Sequence, residues 1–119
     1  MKRHYSEFLR DIILEINFIK DATKGISFNE FKQSPLLTRA ITRSLEIIGE
    51  AVFNIPNEIK EKYSTIPWRS IKDFRNIIIH QYWSVDYIAE WLVIETKLNL
   101  LEKQIKEVLK KEKISINKK

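Results

Sequence analysis

The 119-residue chain contains no cysteine. That removes disulfides, thiolate nucleophiles and cysteine-based zinc sites together. Glycine occurs only at Gly25 and Gly49, and proline only at Pro35, Pro56 and Pro67. So few turn formers argue against a β-rich fold with many tight turns. The two histidines, His4 and His80, have no clustered acids beside them, so no metal site is expected. No apolar run approaches the ~20 residues of a membrane span. The opening Met1-Lys2-Arg3-His4 leads into a charged amphipathic segment, and a soluble cytoplasmic protein is expected.

The net charge of +5 is unevenly placed. Residues 103 to 119 hold seven lysines and two glutamates, whereas residues 1 to 102 hold 14 basic and 14 acidic side chains. The body is therefore electrically balanced. The excess lies in a tail ending Lys118-Lys119, expected to be a solvated helix end rather than a binding device; contact with a nucleic acid there would add only salt-sensitive attraction without sequence readout. One domain over residues 1–109 followed by a lysine-rich tail, 110–119, is the expected organisation.

Apolar spacing is helical throughout. Tyr5, Leu9, Ile12, Ile13, Ile16 and Ile19 predict a helix over 6–23, with Gly25 just past its end. Ser27-Phe28-Asn29-Glu30 is a capping box that opens a short turn carrying Phe28 and Phe31. Ser34-Pro35 starts a second long helix over 35–53, with Leu37, Ala40, Ile41, Leu45, Ile48 and Val52 inward. A helical turn is expected over 57–62. A third long helix over 68–79, with Pro67 at its first position, carries Ile71, Phe74, Ile77 and Ile78. Ser84 as cap and Asp86 in the first turn begin a last, longest helix. Its stripe is Ile88, Trp91, Leu92, Leu98, Leu101, Ile105 and Leu109. The sum is an all-α, up-and-down four-helix bundle with short extra helical turns.

Chemically capable groups gather at Arg75-Asn76-Ile77-Ile78-Ile79-His80-Gln81-Tyr82. Three consecutive isoleucines demand burial and would hold the flanking groups against the core. Arg75 and His80 are five apart, about 140° around an ideal helix, so they converge only if the helix ends or distorts near His80. A break between 80 and 84, if extended, would point His80 and Tyr82 the same way. Asn76, four before His80, could hydrogen-bond the ring. Arginine suits a phosphate through its fork of donors. Histidine titrates near neutral pH and can take a proton from a ribose 2′-hydroxyl or give one to a leaving 5′-oxygen.

A plainer reading stands beside this one. Histidine at a helix end favours the dipole, and arginine commonly pairs with an acid such as Asp73. Trp68 and Trp91 are expected in packing, Trp83 has no clear periodic role, and His4 is expected to be incidental.

The wider pattern weighs in. Glu46-Ile47-Ile48-Gly49-Glu50-Ala51, Ile66-Pro67-Trp68-Arg69-Ser70-Ile71, Phe74-Arg75-Asn76 through Tyr82, Val85-Asp86 and Trp91 together resemble the HepT-like branch of the HEPN superfamily. The likeness runs in order from about residue 9 to residue 101. It implies a dimeric all-α bundle and a metal-independent endoribonuclease that needs no cofactor and cleaves RNA, with tRNA and mRNA as candidate targets. It implies the toxin of a HepT/MntA-type toxin–antitoxin pair, silenced when a nucleotidyltransferase transfers AMP to the motif tyrosine. Carried onto this chain, Arg75 and His80 match the catalytic pair, Tyr82 the modified tyrosine, and Asn76 a supporting polar position. The alternative is a non-catalytic HEPN subunit that binds and regulates a partner nucleotidyltransferase.

Overall fold

The computed structural model describes residues 3–116; Lys118 and Lys119 of the expected tail lie outside the described residues. Among the described residues there are seven helices and no strand: α1 (Tyr5–Thr23), α2 (Phe28–Lys32), α3 (Pro35–Phe53), α4 (Asn57–Lys62), α5 (Trp68–His80), α6 (Tyr87–Thr96) and α7 (Leu98–Lys111). The all-α bundle is as expected. None of these helices is long and apolar enough to cross a membrane.

Local chemistry sets the ends of the first elements. The Ser27 hydroxyl accepts from the Glu30 N–H while the Glu30 carboxylate accepts from the Ser27 N–H, which closes the predicted capping box. Ser34 caps α3 with Pro35 behind it. Gly25 follows the end of α1 at φ +75°, a conformation that only glycine adopts without strain. His4, expected to be incidental, is the cap of α1: its Nδ1 accepts from the Ser6 N–H at 3.1 Å, and its ring stacks on Tyr5.

Three expectations about the second half are corrected. Pro67 is the cap of α5 rather than its first residue. Asp86, not Ser84, caps α6, its Oδ1 accepting from the Ala89 N–H at 3.0 Å. The longest helix is two helices, broken at Lys97. No glycine or proline stands there. The Thr96 hydroxyl instead donates back to the Leu92 carbonyl at 2.6 Å, a bond that bends helices.

In space α3 is central. It packs on α1 and on α5, and α1 packs in turn on α7. The core runs along these contacts: Leu9, Ile12, Ile16 and Ile19 of α1, Ile41, Ile48 and Val52 of α3, Ile105, Val108 and Leu109 of α7. Each such side chain removed from water contributes roughly 1.5–3 kcal/mol. Trp68 is buried as expected, and its indole N–H donates to the Tyr63 carbonyl. Trp91 packs on Phe28 and Phe31.

The start of the lysine-rich segment is anchored. The carboxylate of Glu112 accepts from the hydroxyls of Tyr5 and Tyr63 and from the Lys62 ammonium, and Arg10 donates to the Ser115 carbonyl. These bonds hold the Glu112 carboxyl below the usual carboxylate range, the Lys62 bond foremost.

Candidate active site

The three isoleucines do not share a burial state. Ile78 is 5 % exposed, Ile77 54 % and Ile79 37 %. Successive helical residues turn by about 100°, so three in a row cannot face one core. Ile78 alone anchors the end of α5.

Arg75 sits where α5 meets α3, and Gly49 is the reason it can. A Cβ at position 49 would lie 2.1 Å from Arg75 Cβ and 2.5 Å from its Cγ. The missing side chain is the space that the arginine stem occupies. At the far end of that stem, Nη2 donates to Glu50 Oε2 at 2.5 Å and Nη1 to Asn76 Oδ1 at 2.9 Å, while Nε is buried without a partner. Neither expected pairing forms: Asp73 faces Arg69 at 3.9 Å rather than Arg75, and Asn76 serves Arg75 rather than the imidazole.

His80 is the last residue of α5 and is exposed. Because the helix continues through it, the angular separation from Arg75 is kept, and the expected convergence within one chain does not form. Among the described residues the His80 ring makes no hydrogen bond. Tyr82 lies in the following turn, closed by the Ser84 N–H donating to the Gln81 carbonyl at 2.9 Å. The segment is therefore a turn rather than extended. Tyr82 is 78 % exposed, and its ring meets Trp83 edge-on at 5.3 Å between centroids.

One group in this region escaped the sequence reading. Glu90, on α6, is 1 % exposed, and the Thr42 hydroxyl of α3 lies 3.0 and 2.9 Å from its two oxygens. Burial pushes its carboxyl up to about 7, with Glu46 and Asp86 adding to the rise and the Thr42 bond opposing it. Its signal in the sequence was a lone acid inside the apolar run of residues 87 to 94. Glu90 lines a cavity of about 280 Å³ between the end of α5, the turn and the start of α6. Elsewhere, among the described residues, no three His, Cys, Asp or Glu side chains gather as metal ligands would.

The profile of the family described as "Ribonuclease HepT-like" matches residues 12–108. The chain belongs to the HepT-like family. Among its relatives, "Putative RNase TTE0752" of Caldanaerobacter subterraneus subsp. tengcongensis is 49% identical over 106 residues, which is 89% of this chain and 95% of that protein. "Putative RNase MJ1380" of Methanocaldococcus jannaschii is 38% identical over 104 residues, 87% of this chain and 95% of that one. "Probable ribonuclease HepT" of Thermococcus cleftensis is 36% identical over 110 residues, 92% of this chain and all of its own length. No solved structure matches the chain. The HepT-like match spans α3, α5 and α6, and so contains the whole region around Arg75, His80 and Tyr82.

Proposed function

We propose that this protein is an endoribonuclease toxin that cleaves RNA with Arg75 and His80 and is silenced by AMPylation of Tyr82. The observation that carries the reading is the intact Arg75, Asn76, His80, Tyr82 series at the end of α5 in a HepT-like chain. The names of its relatives as ribonucleases support the activity.

The chemistry follows from the groups. One His80 accepts the proton of a ribose 2′-hydroxyl, whose oxygen attacks the adjacent phosphorus. The 5′-oxygen leaves and takes a proton from the imidazolium of a second copy. Arg75 bears on the phosphate oxygens as charge builds on them. No step calls for a metal ion. A second copy is needed because Arg75 and His80 of one chain face apart. Exposed apolar side chains support dimerisation: Ile77 on α5, and Ile88 and Leu92 on α6, are each more than half exposed. An AMP group on the open phenol of Tyr82 would place a phosphate two residues from His80, within the field that attracts RNA. An MntA-type nucleotidyltransferase antitoxin is the partner this control requires.

The test is expression without any partner of wild type and His80→Ala, with Tyr82 shown by mass spectrometry to be unmodified. Growth arrest and RNA cleavage by wild type alone are expected. Equal harmlessness of the two would overturn the toxin reading and favour a non-catalytic subunit that regulates a nucleotidyltransferase.

A further inference from the structure

The cavity beside the motif is walled by Phe74, Ile77, Ile78, Val85 and Ala89, and Glu90 lines it too. At about 280 Å³ it is just under the ~300 Å³ at which small-ligand sites begin. It has room for a flat ring system and not for a folded element. The turn that forms one side carries Gln81 and Tyr82 directly after His80, so an RNA strand lying at His80 has its neighbouring base within reach of this opening.

Glu90 is difficult to account for as a structural residue. A buried carboxyl is costly, and a carboxylate has about four acceptor sites. The chain supplies one hydroxyl proton, from Thr42, which serves one oxygen at a time. About three acceptor directions are left unfilled on a group that an apolar side chain would replace at a gain in stability.

Resting on the ribonuclease reading above, we infer that this cavity binds a guanine base of the RNA beside the cleaved phosphate, with the Glu90 carboxylate accepting from the guanine N1–H and N2–H. Guanine alone among the RNA bases presents two adjacent N–H donors on one edge. Adenine and cytosine offer one donor beside a ring nitrogen lone pair, which a carboxylate repels. Uracil offers one donor between two carbonyls. In single-stranded RNA that edge is free, and the apolar walls suit the faces of the ring. With Thr42 as the third donor both carboxylate oxygens have partners, and its ionised form is the one favoured by the base. The charged groups facing Glu90 are Glu46 of α3 and Asp86 at the start of α6. Both are acids, so neither supplies the missing partner.

The experiment maps cut sites in a pool of random single-stranded RNA, comparing unmodified wild type with Glu90→Gln. Wild type is expected to enrich guanine at one position next to the cut by about tenfold or more, the discrimination of a bidentate base contact. Glu90→Gln puts an amide N–H against a guanine donor and is expected to flatten that position among the cuts it makes. No guanine preference in wild type, or one unchanged in Glu90→Gln, overturns the inference. A second arm does not need activity: guanosine, adenosine, cytidine and uridine monophosphates are titrated into His80→Ala, with amide shifts as the readout. Tighter binding of the guanine nucleotide, lost in His80→Ala/Glu90→Gln, supports the site even if no RNA is cut, a result that would sink only the ribonuclease reading. Equal weak binding of all four, or preference for adenine as expected of a pocket for the AMP group on Tyr82, refutes it.

Discussion

Glu90→Gln makes the energetic role of the buried carboxyl measurable. The folded protein holds this group at about 7, against an ordinary 4.5. Between those two values the folded state keeps a proton that the unfolded state has lost. Stability therefore falls as pH rises through that window, by about 1.4 kcal/mol per pH unit and by up to about 3 kcal/mol in all. Glutamine is isosteric, keeps a partner for the Thr42 hydroxyl and does not ionise. The variant and wild type should be equally stable near pH 4, where both side chains are neutral. Above pH 7 the variant should be the more stable by up to about 3 kcal/mol. Glu102 and Glu112, whose carboxyls are held low by lysines, stabilise above their unfolded values and weaken as pH falls. They do so in both proteins, and the difference cancels them. Urea unfolding from pH 4.5 to 8.5 gives the difference directly. A constant gap between the two proteins across that range would refute the burial argument, as would a gap that shrinks as pH rises.

Other substitutions test the site's framework. Gly49→Ala forces α3 away from the stem of Arg75; overpacking outweighs the better helix propensity, and a net loss of about 1–2 kcal/mol with reduced RNA cleavage is expected in thermal unfolding and nuclease assays. Glu50→Gln releases the Arg75 guanidinium, so RNA binding at low salt should tighten severalfold while stability changes by less than about 1 kcal/mol; weaker binding would mean that Glu50 orients the arginine for its task. Lys113, at φ 57°, occupies the position after α7 that favours glycine, and Lys113→Gly should stabilise by up to about 1 kcal/mol in denaturant unfolding. Ending the chain at Leu109 removes the Glu112 bonds to Tyr5, Lys62 and Tyr63, and its thermal midpoint should fall below that of the full chain.

What could be read from the sequence is what local chemistry decides. Caps at Ser27 and Ser34 and the glycine at 25 act within four residues, and the end of α1 and the starts of α2 and α3 follow from them. Where two capping residues stand two apart, as Ser84 and Asp86 do, turn geometry chooses between them, and the sequence carries no such geometry. The break at Lys97 lies in a segment without a helix breaker, beside a threonine hydroxyl that bonds back to its own helix. Apolar on nearly all sides, α6 gave periodicity no means of separating Trp91, which packs, from Ile88 and Leu92, which do not. At the candidate site, Arg75, His80 and Tyr82 could be named from the sequence as candidates, and their arrangement could not. The partner of Arg75 is 25 residues away, and the partner of Glu90 is 48 away on another helix.

The clasp between Tyr5 and Glu112 also bears on the order of events during synthesis. α1 leaves the ribosome before α7, and its apolar face is covered in part by that later helix. Contacts spanning more than a hundred residues form only after both ends of the span have emerged, and closing so long a loop slows their formation. A nascent chain that carries α5, with Arg75 and His80 already made, still lacks one wall of its core. The fold thus leaves the frame around α5 open until α7 has been translated.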